Sequence, residues 1–491
     1  MNDSSLKILF ATSEIYPFIK TGGLADVSSG LPLALKKLGH DVRIIMPAYK
    51  TAMENVGKIK IRSRKIKGFS GRLLAGYLPD SQVPIWFVDI PELFHRKGGP
   101  YGAFNGADWP DNSERFNTFN KVISKIGLNQ FDLNWKPDLV HCNDWQTGLA
   151  PAYLSNKPNR PATVFTIHNI AYTGLFSRRH FEYLNLPEEW WDWDKLEFHD
   201  KFSFLKGGLV FADKINTVSP TYAKQILTPE FAYGMEGLLN HRLDSLSGIL
   251  NGIDDQYWNP ALDKRITKNY NFDNISDKAE NKLALQKHFN LEANKNIPLI
   301  GIIGRVVEQK GFDLLQHILP TLMQQNLQLV MLGSGDKKLE ANLKENASQH
   351  PDKFSVQIGY DENLAHLIEA GADMFLMPSR FEPCGLNQFY SLKYGTVPIV
   401  HNTGGLADSV VDCNEESLAN NTATGFKFYN PTAADLQQAI LRALENYAQP
   451  QLWRSIVQNG MQQDFSWTSS AQHYLDLYHN AIKSQGSQDG D

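Results

Sequence analysis

The sequence has few of the features that mark special classes of protein. Its 491 residues include only three cysteines, Cys142, Cys384 and Cys413, which are too few and too widely spaced to indicate a disulfide framework or a zinc site. No apolar run approaches the roughly 20 residues of a membrane-spanning helix, and the N-terminus lacks the basic segment of a signal peptide. A formal net charge of −5 gives no basis for binding nucleic acid or membranes through overall charge. We therefore expect a cytoplasmic protein with no nucleic-acid or membrane partner.

Two series of alternating strands and helices are present, and the chain is too long for one hydrophobic core. Short apolar runs typical of buried parallel strands alternate with helical patterns in each series. The predicted strands are 6–11, 41–46, 85–88, 139–142, 163–167 and 214–218, then 298–304, 328–332, 355–358, 374–377 and 397–400. This pattern predicts an α/β fold with two doubly wound, Rossmann-like lobes and a cleft between them.

The turn signal Asn251-Gly252 marks the boundary between the two series. We assign residues 1–252 to the first lobe and residues 253–465 to the second, and expect a C-terminal helix at about 466–491 to pack back on the first lobe. Pro32 is expected to kink or split the first helix. The polar tail 484–491 is expected to be disordered.

The segment Lys20-Thr21-Gly22-Gly23 lies between a buried strand and an amphipathic helix. Unpaired N–H groups and the helix dipole attract an anion there, the glycines allow close approach, and the lysine adds a cation. The segment therefore predicts a phosphate cradle, although an ordinary tight turn with a surface lysine has the same pattern. Thr21–Asp26 recurs as 403–408, again before a helix, but Asn402 stands there in place of the lysine.

Two cations and a carboxylate follow predicted strands of the second series. Arg305 and Lys310 come just after strand 298–304, and their charges suit a diphosphate, although two solvated cations beside a turn would look the same. Glu382 follows a later strand, where it could bind sugar hydroxyls or simply favour a helix N-terminus. Cys384 has no partnered base, so we expect a packed thiol.

Polar side chains also follow strands of the first series, where the carboxyl ends of parallel strands face a ligand crevice. These segments are Asn143-Asp144-Trp145, His168-Asn169 and Ser219-Pro220. A lone histidine such as His168 is usually structural, but its position at a strand end equally suits a ligand contact. Leu332–Asp336 begins like a dinucleotide fingerprint but lacks its third glycine.

Together these motifs resemble those of bacterial glycogen synthases and plant starch synthases. The resemblance extends over nearly the whole chain and rests on Lys20–Val27, Asn143–Trp145, Thr166–Asn169, Thr217–Ala223, Leu250–Asp254 and Pro378–Gly385. It implies a GT-B fold, with an acceptor-side first lobe and a nucleotide-sugar-binding second lobe. It also implies retaining transfer of glucose from an ADP-glucose donor to the non-reducing end of an α-1,4-glucan acceptor, which elongates glycogen. The lack of a long N-terminal extension favours the bacterial enzyme over the plastid one.

The resemblance implies five catalytic residues, namely Lys20, His168, Arg305, Lys310 and Glu382. Arg305 and Lys310 would hold the donor diphosphate and stabilise the departing ADP, and Lys20 would approach it from the other lobe. His168 would meet the transferred glucose near its 6-hydroxyl. Glu382 would bind the 3- and 4-hydroxyls.

Further substrate contacts are implied for Gly22, Gly23, Asp26, Tyr101, Asp144, Asn251, Tyr360, Cys384, Gly385 and Leu386. Backbone amides would act at Gly22, Gly23 and 384–386, Tyr360 would stack on the adenine, and Tyr101 would border the acceptor.

One position departs from the pattern of related retaining transferases. Those enzymes often carry two glutamates separated by seven residues, and in that register from Glu382 the sequence has Tyr390. No paired carboxylates indicate a double displacement, so we infer front-face attack by the acceptor hydroxyl. Arg305 and Lys310 can balance the charge of the leaving group, and we therefore expect no metal and no other cofactor.

Three alternatives remain open from the sequence. The donor could be UDP-glucose or another sugar nucleotide, because the physical arguments do not distinguish adenine from uracil. A catalytically silent glucan-binding relative would be expected to have lost some of Lys20, Arg305, Lys310 and Glu382, and all four are present. A nicotinamide-dependent dehydrogenase is disfavoured by the incomplete glycine fingerprint.

Overall fold

The computed structural model describes residues 5–55, 62–66, 68–79, 81–104 and 106–488. The chain forms two compact units. The first unit comprises Met1–Gly252 together with Trp467–Asp491, and the second unit comprises Ile253–Ser466.

Most strands of the first unit belong to one twisted sheet. The strands are β1 (Lys7–Ala11), β2 (Asp41–Pro47), β3 (Arg62–Lys65), β4 (Arg72–Tyr77), β5 (Pro84–Asp89), β6 (Leu139–Asn143), β7 (Ala162–Ile167), β8 (Leu175–Ser177), β9 (Glu197–Phe198), β10 (Lys201–Ser203), β11 (Lys214–Thr217) and β12 (Leu246–Gly248). Among the described residues, the main sheet has the order β12-β11-β7-β6-β1-β2-β5-β4-β3, and a small antiparallel sheet has the order β8-β10-β9. The main sheet is parallel from β12 to β5, whereas β4 runs antiparallel to both β5 and β3.

Helices cover the main sheet of the first unit. They are α1 (Gly23–Lys37), α2 (Lys50–Asn55), α3 (Pro91–Phe94), α4 (Asn112–Gly127), α5 (Leu149–Ser155), α6 (Arg178–Tyr183), α7 (Phe204–Phe211), α8 (Pro220–Gln225) and α9 (Glu236–His241). Because helices lie on both faces, central strands such as β7 are buried along their whole length, which accounts for their continuous apolar runs. The sequence predicted that Pro32 kinks or splits this helix; α1 continues through Pro32, so the splitting part of that prediction was wrong. Pro32 is buried within the packed face of α1, and packing compensates for the single backbone hydrogen bond that it removes.

The second unit contains a fully parallel sheet. Its strands are β13 (Leu299–Val306), β14 (Gln328–Gly335), β15 (Phe354–Ile358), β16 (Met374–Met377), β17 (Val397–His401) and β18 (Phe426–Phe428), in the order β15-β14-β13-β16-β17-β18. The helices are α10 (Lys278–His288), α11 (Phe312–Leu322), α12 (Lys337–Gln349), α13 (Glu362–Gly371), α14 (Asn387–Lys393), α15 (Gly404–Ser409), α16 (Glu415–Ala419), α17 (Ala433–Tyr447) and α18 (Pro450–Met461).

Alternate residues of β14 enter two different hydrophobic cores. Leu329 and Met331 pack in the core formed with α11, α17 and α18, whereas Val330 and Leu332 pack in the core formed with α10 and α13. A strand whose side chains are buried on both faces requires helices on both sides of the sheet. This arrangement confirms the predicted α/β, doubly wound architecture.

The last helix, α19 (Trp467–Gln488), belongs to the first unit. The Tyr478 hydroxyl lies 2.8 Å from Nδ1 of the buried His141 in β6, and the Asn216 amide in β11 donates to the Tyr474 hydroxyl at 3.2 Å. The tail prediction was wrong for 484–488, which continue this helix, and 489–491 lie outside the described residues. In the part of the chain that the structure describes, no helix combines the length and apolar character needed to cross a membrane.

Candidate active site

Each main sheet has one point at which the winding of the chain changes direction. In the first sheet β1 lies between β2 and β6, and in the second sheet β13 lies between β14 and β16. Ligands of open α/β sheets bind beyond the carboxyl ends of the strands at such points. Residues 14–23 and Asp144 follow β1 and β6, whereas Arg305 is the penultimate residue of β13 and Glu382 follows β16. Most of the residues predicted from motifs therefore lie where this topology places a ligand.

The segment Lys20–Gly23 leads directly into α1. Gly22 precedes the helix with an extended backbone (φ −158°), and a Cβ atom added to it would meet no other atom within 4 Å. The space beside this glycine is therefore open to an approaching group. Lys20 Nζ lies 2.8 Å from Asp26 Oδ1, in a pair that is partly exposed to solvent.

Glu14 lies beneath this segment and was not among the residues predicted for the site. Its side chain is only 3% exposed, and its carboxylate accepts hydrogen bonds from the backbone N–H of Thr21, the Thr21 hydroxyl and the Tyr101 hydroxyl. The Tyr101 hydroxyl also lies 2.7 Å from Ser13 Oγ. Burial, reinforced by the charge of Glu14, holds the pKa of Tyr101 well above its usual value, so this tyrosine stays a neutral donor.

Asp144 and His168 are connected at the ends of β6 and β7. Asp144 Oδ1 accepts the backbone N–H of His168 at 2.7 Å, and His168 Nε2 lies 2.9 Å from Asn143 Oδ1. The Asn143 amide nitrogen donates to the Ala11 carbonyl, so Asn143 Oδ1 is an acceptor and His168 Nε2 carries the proton. Burial lowers the pKa of His168 to about 3, and the neutral ring therefore presents Nδ1 as a hydrogen-bond acceptor.

The Asp144 carboxyl has an unusual environment. Burial raises its pKa to about 7, against the opposing effect of backbone N–H groups of His168 and Asn169. Its backbone has a positive φ of 56°, which is uncommon outside glycine and is found at functional sites. Asn251, three residues after β12, is also buried, and within the described part of the chain its Oδ1 has no hydrogen-bond partner. Asn251 Oδ1 can therefore accept a hydrogen bond from a polar ligand, which is what the predicted contact requires.

Lys310 and Glu382 form an ion pair at the carboxyl edge of the second sheet. Ser379 Oγ donates to the same carboxylate oxygen at 2.9 Å. Lys310 is brought there by Gly311, whose φ is 73° and whose Cβ, if present, would lie 2.0 Å from the Pro378 carbonyl oxygen. Only glycine allows this close approach, which fixes the position of Lys310 relative to the loop after β16.

Arg305 differs from the two lysines of the site. It is exposed at the end of β13, and among the described residues its guanidinium has no ion-pair or hydrogen-bond partner. The preceding Gly304 has open space where a Cβ would lie. A guanidinium next to a backbone segment with open space beside it is suited to making two parallel hydrogen bonds to one phosphate group.

The loop after β16 packs against the second copy of the repeated hexapeptide. A Cβ on Gly404 would lie 1.9 Å from the Glu382 carbonyl oxygen, and a Cβ on Gly405 would lie 2.2 Å from that of Cys384. The two glycines thus hold the loop, whereas Gly22 of the first copy borders open space. The Cys384 thiol is buried.

The backbone after Cys384 turns into α14. Gly385 has a positive φ of 73°, and α14 begins at Asn387, directly after Leu386. Within the described residues, the N–H groups of Gly385 and Leu386 have no backbone acceptor. Amides before a helix N-terminus that lack an acceptor can donate to a ligand.

Two other predicted features have clear structural settings. The Tyr360 side chain is 78% exposed beside Gly359, so its ring is free to stack on a ligand. Tyr390, which occupies the register of the missing second glutamate, is buried and stacks on Trp258 with a centroid distance of 3.9 Å. That position therefore serves packing of the core.

The incomplete dinucleotide fingerprint also has a packing role. Gly333 and Gly335 lie within β14, and a Cβ on either would overlap the backbone of β13, at distances of 2.0 and 2.3 Å from the carbonyl oxygens of Gly304 and Val306. These glycines are needed for strand packing.

A cavity of about 860 Å³ lies at the opposite, amino-terminal edge of the second sheet. Its lining includes Pro298 and Asp373, which precede β13 and β16, and three lysines, of which Lys278 and Lys282 are on α10. Protein oxygens already surround the amines of Lys278 and Lys282, with Thr396 Oγ1 2.7 Å from Lys278 and Asp373 Oδ2 2.6 Å from Lys282. These two lysines are satisfied by protein groups, and the cavity lining contains none of the predicted site residues.

Residues 7–241 match the family model of the starch synthase catalytic domain, and residues 285–463 match that of glycosyl transferases group 1. The glycogen synthase of Thioalkalivibrio sulfidiphilus is 53% identical over 482 residues, which cover 97% of this chain and 100% of the relative. The glycogen synthase of Cellvibrio japonicus is 53% identical over 483 residues, covering 96% of this chain and 99% of the relative.

A solved structure of similar fold is the catalytic domain of starch synthase IV from Arabidopsis thaliana, bound to ADP and acarbose. It has a TM-score of 0.87 and 32% identity, and the match covers 98% of this chain and 100% of that one. Sucrose-phosphate synthase from Thermosynechococcus elongatus, at 16% identity and a TM-score of 0.58, shares the fold.

Proposed function

The chain belongs to the glycogen synthase family, and we propose that it transfers glucose from ADP-glucose to the non-reducing end of an α-1,4-glucan, with retention at the anomeric carbon. Its fold is of the GT-B type, with two Rossmann-like units. The related starch synthase was solved with ADP, which supports an adenine nucleotide as the leaving group. Glycogen is the proposed acceptor, and we propose no nucleic-acid or membrane partner.

Three cations are proposed to bind the donor diphosphate. Arg305, which is unpaired among the described residues, would make the first contact. Lys310 and Lys20 are paired with Glu382 and Asp26 in the structure, and we propose that both lysines exchange these carboxylates for phosphate oxygens when the donor binds. Because negative charge develops on the departing diphosphate, preorganised cations at this point lower the barrier.

Groups from both units are proposed to bind the transferred glucose. The exchange of partners by Lys310 leaves the Glu382 carboxylate, still held by Ser379, to accept hydrogen bonds from sugar hydroxyls. The N–H groups of 384–386 would donate to the same side of the sugar. In the first unit, the unprotonated Nδ1 of His168 would accept from the 6-hydroxyl, with Asp144 and Asn251 nearby in the proposed site.

We propose that the reaction proceeds by front-face attack. The bond between the anomeric carbon and the diphosphate oxygen breaks, and the bond to the 4-hydroxyl oxygen of the acceptor forms on the same face. The acceptor proton passes to the leaving phosphate oxygen. Tyr390 stacks in the core where related transferases often carry a second glutamate, so no carboxylate pair is assigned to this step.

The observation that carries this proposal is the grouping of Arg305, Lys310 and Glu382 at the carboxyl ends of β13 and β16. This is the point of the second sheet at which the winding of the chain changes direction. The three free, buried cysteines suit a reducing compartment, and a cytoplasmic location is part of the proposal.

The test is transfer of labelled glucose into a glycogen primer by the purified chain, with ADP-glucose and UDP-glucose at equal concentration. EDTA is present, because the proposal assigns the charge stabilisation to protein cations and requires no metal. We expect incorporation from ADP-glucose. Preference for UDP-glucose would overturn the donor assignment, and glycogen binding without transfer from either donor would indicate a silent glucan-binding protein.

A further inference from the structure

A single buried carboxylate connects two parts of the first unit that have different predicted roles. Glu14 accepts two hydrogen bonds from Thr21, which lies between Lys20 and Gly22, and a third from Tyr101. Thr21 belongs to the proposed diphosphate cradle, and Tyr101 belongs to the proposed acceptor side. Glu14 itself lies too deep, at 3% exposure, to be a main contact of either substrate.

The Tyr101 end of this connection is rigid. The Asn112 amide donates to the Tyr101 carbonyl at 2.8 Å, and the Arg115 guanidinium donates to the Pro100 carbonyl at 3.0 Å and to Asn112 Oδ1 at 2.6 Å. Arg115 and Asn112 are both buried in α4. The tyrosine is therefore fixed to a helix of the core, and Glu14 transmits that fixed position to Thr21.

The cradle end depends more heavily on Glu14. Lys20, Thr21 and Gly22 lie on the exposed surface, and Gly22 has open space beside it. The two bonds from Thr21, one through its backbone and one through its side chain, fix both the position and the rotation of this residue. Because Lys20 and Gly22 are bonded to Thr21 through the backbone, the fixed position of Thr21 also restricts their backbone orientation.

The chemistry of the carboxylate suits this role. A carboxylate is an acceptor at both oxygens and has no proton of its own, so it can take all three donors. A glutamine can keep the bond from the Thr21 N–H only if its NH₂ group faces the Thr21 and Tyr101 hydroxyls, both of which must then accept instead of donate, and none of the bonds is then made to a charged acceptor. A negative charge beside an anion site is electrostatically unfavourable. The presence of Glu14 there therefore requires a compensating function, and positioning of the Lys20–Gly23 segment provides one.

We propose that Glu14 is a positioning residue that holds the Lys20–Gly23 cradle in its binding geometry and couples it to Tyr101. This inference rests on the proposed function, since it assumes that the cradle binds the donor diphosphate. A purely structural role, in which Glu14 only completes the packing of the fold, is the competing account.

The test compares Glu14→Gln, Thr21→Val and Thr21→Ser in the full-length protein. We expect Glu14→Gln to lower kcat by on the order of 10²-fold, because misplacement of a binding group by about 1 Å has effects of that size. Thr21→Val removes one donor to Glu14 and should lower kcat in the same direction by a smaller factor. Thr21→Ser keeps the hydroxyl and should restore near wild-type kcat.

Thr163→Val is a matched control in the same unit. The Thr163 backbone N–H and hydroxyl both donate to the Asp213 carboxylate, at 2.7 and 2.8 Å, as those of Thr21 donate to Glu14, and the hydroxyl also accepts from the Asp213 N–H at 3.0 Å. This variant loses the same kind of hydrogen bond, so its melting temperature should fall while its kcat and KM stay at wild-type values.

Two measurements that do not depend on turnover test the positioning role of Glu14 independently of the proposed reaction. ADP titration by calorimetry requires no turnover, and hydrogen exchange of peptides covering 15–24 reports the order of the cradle directly. We expect weaker ADP binding and faster exchange in Glu14→Gln. If the wild type transfers no glucose but ADP binding still falls in Glu14→Gln, the proposed function fails and the positioning role stands.

The positioning role is overturned if Glu14→Gln and Thr21→Val lower only the melting temperature, as Thr163→Val should, and leave kcat, ADP affinity and exchange at 15–24 unchanged. It is also overturned if Thr21→Ser is as impaired as Thr21→Val, since the hydroxyl would then not be what matters.

Discussion

The two lysines assigned to the donor diphosphate are both already paired with carboxylates. Lys20 is held by Asp26, and Lys310 is held by Glu382. Under the proposed function, such pairs would hold the amines in place before the donor arrives, and both lysines would have to exchange partners when it binds. Arg305, which has no partner in the part of the chain that the structure describes, is the cation that can meet the diphosphate without an exchange.

We predict that Lys310→Ala lowers turnover by at least about 100-fold, because it removes one preorganised cation from the leaving group. It should also weaken ADP binding. The melting temperature should fall as well, since Glu382 is nearly buried and would keep only its bond from Ser379. Steady-state kinetics and ADP titration well below the melting temperature measure these effects.

Lys344→Ala is the control for that variant, because Lys344 is exposed on α12 away from the predicted site residues. It should behave as the wild type. Near-normal turnover of Lys310→Ala would remove Lys310 from the diphosphate site.

Asp144 leads to a prediction about pH and stability. Burial raises its pKa from the ordinary 3.8 to about 7, so between these pH values the folded state binds more protons than the unfolded state. Stability contributed by this group is present below about pH 4 and is lost as the pH rises through 7. Asp144→Asn does not titrate, and its melting temperature should rise relative to the wild type between pH 5 and pH 7 and change little above pH 8.

Thermal unfolding of both proteins at pH 5, 6, 7 and 8 measures that difference, and groups common to both proteins cancel in it. The exposed Asp352→Asn should show a constant difference from the wild type over the same range. A difference for Asp144→Asn that does not change with pH would contradict the assigned titration.

The same hexapeptide serves two purposes at two strand-to-helix junctions. In the first unit it leads into α1 with open space beside Gly22. In the second unit it leads into α15, and Gly404 and Gly405 pack against the backbone of Glu382–Cys384. The first copy thus leaves open space beside its helix, where we propose that the donor binds, and the second copy supports the loop that carries Glu382.

This difference predicts opposite results for one type of substitution. Gly22→Ala should fold normally, because its backbone is extended and the added methyl group meets no atom within 4 Å, yet it should lose activity since that group occupies the space of the donor. Gly405→Ala should lower the melting temperature by several degrees, because its methyl group would lie 2.2 Å from the Cys384 carbonyl oxygen. Overpacking of this kind costs about 1–3 kcal/mol.

Melting temperatures and initial rates of the two variants, measured side by side, check this prediction. Each variant is the control for the other. A stable and fully active Gly22→Ala would mean that the open space is not used by the donor.

The elements that the sequence predicted are the buried, parallel ones. Strands such as β1 and β7 are apolar on both faces and lie between helical patterns, so they stand out in the sequence. The hairpin of β3 and β4, the small sheet of β8, β9 and β10, and the edge strands β12 and β18 were missed. Several of these have only two or three residues, which is too short for a periodic signal.

Candidate site residues could be proposed from the sequence where a motif lies between a predicted strand and the helix that follows it, as at Lys20, His168, Arg305 and Glu382. The sequence did not predict which groups hold them. Glu14 is seven residues before Thr21 and 87 residues before Tyr101, and no local spacing relates it to that tyrosine. Ser379 lay in a recognised motif, but only the fold shows that its hydroxyl donates to Glu382.

The first unit is built from two segments of chain that are separated by the whole second unit. Its last element, α19, buries Tyr474, Tyr478 and Ala481 and supplies hydrogen-bond partners to His141 and Asn216 in the central sheet. Without α19, the buried side chains of β6 and β11 would lose apolar cover, and His141 and Asn216 would lose the tyrosine hydroxyls that bond them. The C-terminal helix is therefore part of the core of the first unit.

We predict that deletion of 467–491 destabilises the first unit selectively. Hydrogen exchange should show loss of protection in β1, β6 and β7, while β13, β14 and β16 keep theirs. Deletion of 489–491, beyond the described residues, is the matched control and should leave both units protected. Equal loss of protection in both units would show that α19 is not specific to the first.

The position of α19 has a consequence for how the protein is made on the ribosome. A domain can usually fold once all of its residues have emerged, but here the first unit lacks α19 until residues 467–488 have been synthesised, after the whole second unit. At a synthesis rate of about 5–20 residues per second, residues 253–466 take roughly 10–40 s to appear. During that interval the incomplete sheet exposes the face that Tyr474 and Tyr478 later cover, so nascent chains stalled before residue 467 should be the form that chaperones bind and proteases cut.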